Sequence, residues 1–451
     1  MTEQPEEQGT ISREGRDSTM RILRLILAIS LALILGSESL AQEKAAPASP
    51  PQQPAEEGTV AKEWFGSGLP WWEWSRLTGN WGGLRMSLED AGVTIEGSSI
   101  LDVSRVAKGG IRRRWILRDL LDLQLSFDLK RLLGHEWGTL SARYYSFFGR
   151  DASTDVGDIQ AFDNIDANRQ RHQLAEFWYE QKLFNEIFRL KVGKVDANTE
   201  FAFVENGAEF VNSSMGYSPT IRGFASYPDP AMSVNLFVDP TEYLYVGFGV
   251  YDGAGQRGFE TGSRGPSTFF RGLNKLFYIG ELGAKWAISG ADLPGRLGVG
   301  GWHHNGPFDR FDETRKPGTE GFYVVFDQML WRADSAKKEN KRGIGMFLQY
   351  GHANPHISGI RHHLGGGFSW TGPIPSREED VFGLGVTWVR LSSAPGTSFV
   401  KKHELALETF YKVKITPWLS VKPDLQCIVN PSGSQDIKNA FVPTLRFEWT
   451  F

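Results

Sequence analysis

Apolar and polar residues alternate with a period of two along most of the chain beyond about residue 93. The clearest run is 121–130, LDLQLSFDLK, where leucine or phenylalanine holds every odd position and a polar or charged residue every even one. Alternation of this kind is typical of a β-strand with one apolar face and one polar face. The last ten residues, VPTLRFEWTF, repeat the pattern and end on an aromatic residue of the apolar face.

Sixteen segments show this alternation and are predicted to be strands. They are 93–104, 121–130, 138–147, 171–182, 187–194, 231–238, 243–251, 276–288, 296–304, 321–331, 343–351, 363–370, 381–390, 403–414, 418–429 and 441–451. The alternation is weakest in 231–238 and 321–331. No segment beyond residue 41 is long and apolar enough to predict a transmembrane helix.

The connections between these segments alternate between short and long. The short ones include 183–186, 239–242, 289–295 and 415–417, and the long ones include 105–120, 148–170, 195–230, 252–275 and 305–320. Two connections on the short side, 332–342 and 371–380, are longer than the others. Outer-membrane barrels have an even number of strands, short periplasmic turns and long outer loops. The pattern therefore predicts an all-β, transmembrane antiparallel β-barrel of about 16 strands. A soluble β-domain gives no reason for connections of alternating length.

The N-terminal part of the chain has the features of an export signal. A basic stretch at 20–24 precedes an apolar run at 25–35, and small residues suit cleavage before Gln42. Because 1–19 is polar and acidic, Met20 is the expected start. The expected organisation is a signal peptide over 1–41, a disordered Pro/Ala/Glu-rich spacer over 42–61, a periplasmic N-terminal segment with a short helix over 62–92, and the barrel over 93–451.

Composition adds few constraints on function. The net charge of -4 and the pI of about 6.2 give no indication of nucleic-acid binding. A mean hydropathy of -0.32 is compatible with a membrane barrel, since the two faces of each strand average out. The single cysteine, Cys427, excludes an intrachain disulfide. Neighbouring residues of a strand point to opposite faces, so neither of the adjacent pairs His303–His304 and His362–His363 is expected to chelate one metal ion. No motif frames a Ser-His-Asp set among the nine histidines, and we expect no metal site, cofactor or catalytic residue.

One stretch, 75–92 (SRLTGNWGGLRMSLEDAG), strongly resembles the N-terminal motif of the carbohydrate-selective porins (OprB type) of Gram-negative outer membranes. The motif residues are Gly79, Asn80, Trp81, Gly82, Gly83, Leu84 and Arg85. Weaker resemblances at 176–203, 247–253 and 408–431 extend the likeness from about residue 62 to residue 451. The resemblance implies a 16-stranded barrel through which sugars diffuse inward past charged side chains, arginines among them.

The resemblance also implies a short amphipathic helix after the motif. Leu84, Leu88 and Ala91 would form the apolar face of this helix, and Gly92 would end it.

The longest connection, 195–230, is predicted to fold into the barrel and narrow the pore. Four of its residues, Asp196, Asn198, Glu200 and Glu209, carry amide or carboxylate groups that suit sugar hydroxyls. By alternation, the wall residues predicted to face the lumen are Arg143, Tyr145, Glu176, Trp178, Glu180, Arg189 and Lys191. An Arg or Lys on the lipid face would cost about 2–4 kcal/mol at mid-bilayer. Exposed aromatic rings at Tyr145 or Trp178 would stack on sugars. The alternatives are a loop that only caps the barrel and charges that only set pore size and field.

These features predict an outer-membrane porin for passive, selective diffusion of mono- or small oligosaccharides. The alternatives are a general or anion-selective porin, an outer-membrane barrel hydrolase and a soluble sugar-binding protein. Expected partners are small carbohydrates, the lipid bilayer and lipopolysaccharide, the last near Arg112–Arg114. The C-terminal residues Phe447, Trp449 and Phe451 resemble the signal read by barrel-assembly machinery. The expected assembly is a monomer or a homotrimer.

Overall fold

The computed structural model of the protein describes residues 63–165, 170–272, 274–288, 293–333 and 342–451. The predicted signal peptide, the proposed start at Met20 and the spacer over 42–61 lie outside these residues. None of the helices within them has the length and apolarity needed to cross a membrane.

Within these residues the chain forms eighteen strands, sixteen of which make the wall of one closed antiparallel barrel. The strands are β1 (Val93–Arg105), β2 (Lys108–Gly110), β3 (Trp115–Asp128), β4 (Thr139–Phe148), β5 (Arg171–Leu183), β6 (Phe188–Val195), β7 (Ala231–Thr241), β8 (Leu244–Asp252), β9 (Ser263–Pro266), β10 (Leu276–Ile288), β11 (Leu293–Asp309), β12 (Arg315–Arg332), β13 (Gly343–Ala353), β14 (Ile360–Thr371), β15 (Val381–Leu391), β16 (His403–Thr416), β17 (Leu419–Val429) and β18 (Lys438–Thr450). The short strands β2 and β9 lie in connections. Each wall strand pairs with its neighbours in sequence, and β18 pairs with β1 to close the sheet.

The prediction of sixteen wall strands is confirmed, including the two segments with the weakest alternation. The predicted long connection 305–320 is wrong, because β11 continues to Asp309 and β12 begins at Arg315. These strand ends are rich in glycine, proline and charged residues, so apolar alternation stops there. The backbone pairing continues, with Phe308 opposite Lys316. Alternation therefore marks only the apolar part of a strand.

The described helices are short and lie in the N-terminal segment and in the connections between strands. The α-helices are α1 (Leu84–Asp90), α2 (Leu129–Leu133), α3 (Ser153–Val156) and α4 (Ser213–Gly216), and the 3-10 helices are Trp71–Glu73, Trp81–Gly83, Ala197–Thr199, Glu205–Gly207, Gly253–Arg257 and Pro431–Gly433. The expected apolar face of α1 is wrong: Leu84 and Ala91 are exposed, and Arg85 is the buried residue. Gly92 follows the helix with φ +95°, a left-handed conformation that glycine adopts without strain.

Arg85 is buried because it joins both edges of the sheet. Its Nη2 donates to the carbonyl oxygen of Ile95 in β1 at 2.5 Å and to that of Phe451 at 2.7 Å. The backbone N–H of Leu77 donates to the carbonyl oxygen of Thr450 at 2.8 Å. Its Nη1 donates to the carbonyl oxygen of Gly79 at 3.3 Å, so both terminal nitrogens of this buried guanidinium have acceptors, which offsets the cost of burying its charge. We call the end of the barrel that carries this segment the inner end, and the opposite end, which carries the longer connections, the outer end.

The two faces of the wall differ in chemistry. Outward-facing leucines such as Leu282, Leu364 and Leu407 are exposed on the barrel exterior. The lumen holds buried charges, for example Arg446, whose Nε donates to Asp102 Oδ1 at 2.8 Å. An apolar exterior around a polar interior is the arrangement of a barrel that spans lipid.

Candidate functional site

The connection 196–230, which we call the inner loop, lies inside the barrel. Wall carboxylates accept hydrogen bonds from its backbone: Ala202 N donates to Glu281 Oε2 at 3.0 Å and Glu205 N donates to Asp327 Oδ2 at 3.1 Å. Further along, Asn212 N donates to Glu408 Oε2 at 3.0 Å. These acceptors belong to β10, β12 and β16, so the loop follows the wall through a large part of its circumference. Bonds of this charge-assisted type are stronger than neutral ones.

Four charged residues near the start of the inner loop form what we call the proximal cluster: Glu180, Arg189, Lys191 and Glu200. Arg189 Nη1 lies 3.0 Å from Glu180 Oε2 and 2.7 Å from Glu200 Oε2, and Lys191 Nζ lies 2.7 Å from Glu200 Oε1. Burial raises the pKa of Glu200, but Lys191 and Arg189 outweigh it, so the pKa lies below its ordinary value. Glu200 therefore stays ionised at neutral pH and holds the loop to β6.

Four further charges form the distal cluster: Glu209 of the inner loop and Lys412, Lys422 and Glu448 of the wall. Lys412 Nζ lies 2.9 Å from Glu209 Oε1 and 2.7 Å from Glu448 Oε2. Lys422 Nζ lies 2.8 Å from Glu209 Oε2 and also donates to the Glu209 carbonyl oxygen at 2.8 Å. Only Glu209 was predicted from the sequence. The other three hold the inward positions of β16, β17 and β18, which alternation alone would have indicated.

A third group of charges lies where β6 passes into the inner loop. Arg143 Nε donates to Asp122 Oδ1 at 2.8 Å, and its Nη1 lies 3.1 Å from Glu176 Oε1. Glu176 Oε2 accepts from Asp196 N at 3.2 Å, and Asp196 Oδ1 accepts from Asn198 N at 2.8 Å. Burial, and then the charge of Glu176, raises the pKa of Asp196 to about 6. The predicted residues of β4, β5 and the loop start are thus brought together.

Of the two aromatic residues expected to be exposed in the lumen, Tyr145 is buried and Trp178 is half-buried. Tyr145 is only 4% exposed and packs against Tyr227, with ring centroids 5.6 Å apart. The Trp178 ring packs against the apolar core of the inner loop and lies 3.9 Å from Lys191 Nζ. The expectation of an exposed ring is therefore wrong for Tyr145, because alternation indicates the face of a residue and not what covers it.

Two cavities border the inner loop. One, of about 650 Å³, lies between the loop, the connection 149–165 and the lumenal residues Ile100 and Leu120. The second, of about 500 Å³, extends toward the inner end and is lined by the inner loop and by residues of β6, β7, β8, β10, β11 and β12. We call them the upper and lower cavities. Both include Thr199, Phe203 and Glu205, so these three residues form the border between them.

The lower cavity contains polar and aromatic groups that sequence reasoning missed. Arg296 Nη2 lies 2.6 Å from Glu281 Oε1, and its guanidinium lies 3.9 Å from the centre of the Phe203 ring. Trp286 Nε1 donates to Gln328 Oε1 at 2.8 Å. The inward alternation of β10 and β11 would have pointed to Glu281 and Arg296. No pattern indicates Phe203, because its position depends on the path of the inner loop.

The adjacent histidines point to opposite faces of the wall. His304 and His363 are buried inside, and His363 Nε2 lies 2.8 Å from Thr387 Oγ1. His303 and His362 lie on the outward face. Across the described ranges, no group of three or more His, Cys, Asp and Glu side chains has the geometry to hold a metal ion.

Known proteins resemble the chain over most of its length. The family described as carbohydrate-selective porin, OprB family, matches residues 117–451. Porin B of Pseudomonas aeruginosa is 20% identical over 420 residues, which cover 83% of this chain and 91% of that protein. The structure of Pseudomonas putida OprB at high pH has a TM-score of 0.74 and 19% identity, covering 84% of this chain and 99% of that one. The low-pH structure of the same protein has a TM-score of 0.54 at 18% identity. The structural likenesses establish the fold.

Proposed function

The chain belongs to the carbohydrate-selective porins of the OprB family, and from this premise we propose that sugars pass from the upper cavity to the lower one across the border of Thr199, Phe203 and Glu205. The protein is an outer-membrane channel selective for sugars, and its family assigns it diffusion rather than catalysis. The observation that carries the proposed route is that two cavities on the inner loop share these border residues.

The groups along this route suit neutral polyols. Sugar hydroxyls both donate and accept hydrogen bonds, and the proximal cluster, whose charges balance, offers both roles through the partly exposed side chains of Arg189 and Glu180. Asp196, Asn198 and Glu205 add acceptors and donors in or beside the upper cavity. Many weak contacts favour transport, because tight binding at one site slows exit.

The Phe203 ring supplies an apolar surface at the border. One face of it is covered by the Arg296 guanidinium, which fixes the ring in place. The C–H face of a pyranose stacks on such a ring, so Phe203 takes the part that the sequence assigned to Tyr145 and Trp178. A ring at the border also limits the width of the passing molecule.

The outer surface of the protein faces its envelope partners. The outward-facing Phe447 and Trp449 rings stack with centroids 6.0 Å apart, which supports their recognition by the barrel-assembly machinery.

The basic run 112–114 is expected to contact lipopolysaccharide. Arg112 pairs with Asp155 at 2.8 Å, which leaves Arg113 and Arg114 for that role. Both a monomer and a homotrimer accommodate the proposed route, because it runs inside one barrel.

The route is tested by Phe203→Ala in liposome swelling with sugars and with zwitterions of equal size. We expect faster swelling with both kinds of solute and a lower sugar-to-zwitterion rate ratio, because the border widens and loses its stacking surface. Phe248→Ala, which removes an outward-facing ring of the same size, is the matched control and should behave as the parent protein. Equal changes in both variants, or no change in Phe203→Ala, would reject the route. Equal rates for sugars and zwitterions in the parent protein would reject sugar selectivity itself.

A further inference from the structure

Four neighbouring strands place a basic or imidazole side chain at the same level on the outside of the barrel. His352 of β13 pairs with His362 of β14, His362 pairs with Arg390 of β15, and Arg390 pairs with His403 of β16. One sequence neighbour of each is buried toward the lumen, namely Ala353, His363, Val389 and Glu404, whereas Arg361 and Lys402 on the other side of His362 and His403 are exposed. Since successive side chains alternate between faces, these four side chains point away from the lumen. We call them the basic row.

The basic row marks the edge of the apolar exterior at the outer end. Two residues further toward the inner end, the same strands carry Tyr350, Leu364, Trp388 and Leu405, which pair in the same order. Leu364 is exposed, as expected for a side chain that faces lipid tails. Tyrosine and tryptophan are typical of the membrane–water boundary. The basic row therefore lies at the level of the lipid headgroups of the outer leaflet.

The positive charge of the basic row is not balanced by nearby acids. Within the described part of the chain, neither Arg390 nor the adjacent exposed Arg361 has a carboxylate within ion-pair distance. The acid one strand before β13, Glu320, lies 3.8 Å from His303 and 3.6 Å from Lys316 instead. The charged residues of the lumenal clusters, in contrast, are held in ion pairs, so the basic row differs from them in having its positive charge unpaired.

Contacts within the basic row hold its rings in place. His352 Nδ1 lies 3.4 Å from His362 Nδ1, and the Tyr350 hydroxyl lies 2.8 Å from the same His362 atom. His403 Nε2 lies 3.0 Å from Asn430 Nδ2. Side chains that are already ordered lose less conformational entropy when they bind a ligand.

We propose that the basic row binds the phosphate group of a phosphorylated lipid in the outer leaflet. Arg390 and Arg361 supply the charge, and the imidazoles supply further N–H donors, while the tyrosine and tryptophan below them contact the start of the acyl chains. Arginine suits phosphate because its planar guanidinium donates two parallel hydrogen bonds. The proposal rests on the outer-membrane location and is independent of the sugar route, which lies on the other side of the wall.

The test measures binding of diphosphorylated lipid A to the purified protein in detergent micelles, by native mass spectrometry. The variant His362→Gln/Arg390→Gln should bind it about tenfold more weakly or worse, because charge-assisted contacts are lost. Arg105→Gln is the matched control: Arg105 also points outward at the outer end, but it stacks on Trp115 outside the row. It should bind as the parent does. Liposome swelling with sugars at the rate of the parent protein confirms that both variants fold.

The parent protein gives a second measurement that needs no variant. Lipid A should protect His352, His362 and His403 from modification by diethylpyrocarbonate, while dephosphorylated lipid A and inorganic phosphate should not. Protection by inorganic phosphate alone would overturn the lipid assignment, and equal protection by the dephosphorylated lipid would overturn the role of phosphate. If Arg105→Gln lost as much lipid A binding as the double variant, lipid A would be binding through general attraction to positive charge, and the assignment to the basic row would be overturned. None of these outcomes changes the rate of liposome swelling with sugars. Failure of the lipid proposal is therefore distinguishable from failure of the proposed sugar route.

Discussion

The proximal and distal clusters contain the same set of charges: two wall cations, one wall glutamate and one glutamate of the inner loop. They differ in which member meets water. In the proximal cluster the loop acid Glu200 is buried, and the Arg189 side chain, 27% exposed, lines the lower cavity. In the distal cluster the cation Lys422 is buried with a 2% exposed side chain, the loop acid Glu209 is 35% exposed, and no member lines either cavity.

The difference in exposure indicates that the two clusters have different roles in the lumen. The distal cluster fastens the inner loop to β16–β18, and the proximal cluster fastens the loop while presenting a cation to the solute. Composition cannot distinguish the two clusters. The comparison therefore predicts that changes in the distal cluster alter pore size and stability, whereas changes in the proximal cluster alter selectivity.

The largest expected effect comes from Lys422→Met in the distal cluster. Losing a buried cation leaves Glu209 and Glu448 with Lys412 alone, at a cost of about 2 kcal/mol, a reduced figure because Glu209 is partly hydrated. We expect a lower urea midpoint in lipid vesicles and a larger, noisier single-channel conductance as the loop detaches. Lys412→Met, at a more exposed position, should show a smaller shift. Unchanged conductance in Lys422→Met would refute the anchoring role.

The next effect is expected from Arg189→Gln in the proximal cluster. Lys191 still neutralises Glu200, so the loop should stay in place and the urea midpoint should change little. The sugar-to-zwitterion rate ratio should fall by about two- to tenfold, the equivalent of one lost hydrogen bond. The reversal potential in a salt gradient should shift toward cation preference. If Arg189→Lys, which keeps the charge, loses as much sugar preference as Arg189→Gln, the guanidinium geometry matters more than its charge.

The smallest effect is expected from mild acidification, because the loop carboxylates of both clusters keep their charge until the pH falls below about 4.5. Burial raises the pKa of Glu200 and of Glu209, but the neighbouring cations outweigh it and both pKa values lie below the ordinary 4.5. Each carboxylate therefore stabilises the docked loop fully above pH 4.5, and this contribution is lost as the pH falls through the lowered pKa. Titration of Glu200 and Glu209 should therefore leave the current noise unchanged between pH 7 and 5 and raise it below pH 4.5. Noise that rises on going from pH 5 to 7 would contradict this assignment.

The wall was predictable because its signal is local. A strand such as β3 shows its two faces in every pair of residues, and lipid on one side and water on the other keep the alternation strict. The inward direction of Arg143, Glu176 and Arg189 follows from the same parity. The resemblance at Leu77–Arg85 gave the family, which the match over 117–451 confirms.

The contacts inside the lumen were not predictable, because they join residues far apart in sequence. Glu209 meets Lys422 across 213 positions, and no local pattern connects them. Parity indicates that Tyr145 faces inward but not that the returning loop covers it at Tyr227. The position of Phe203 depends in the same way on the wall carboxylates Glu281 and Asp327, which accept from the loop backbone on either side of it.

The contact of Arg85 with Phe451 links residues 366 positions apart and has a consequence for the making of the protein. Arg85 Nη2 donates to Ile95 in the first strand and to Phe451 after the last, and it reaches both only when these strands are joined. In an open sheet the guanidinium of Arg85 would lose the Phe451 carbonyl oxygen as an acceptor. The N-terminal segment therefore packs stably only against a closed barrel, and its contact with Phe451 favours closure of the wall.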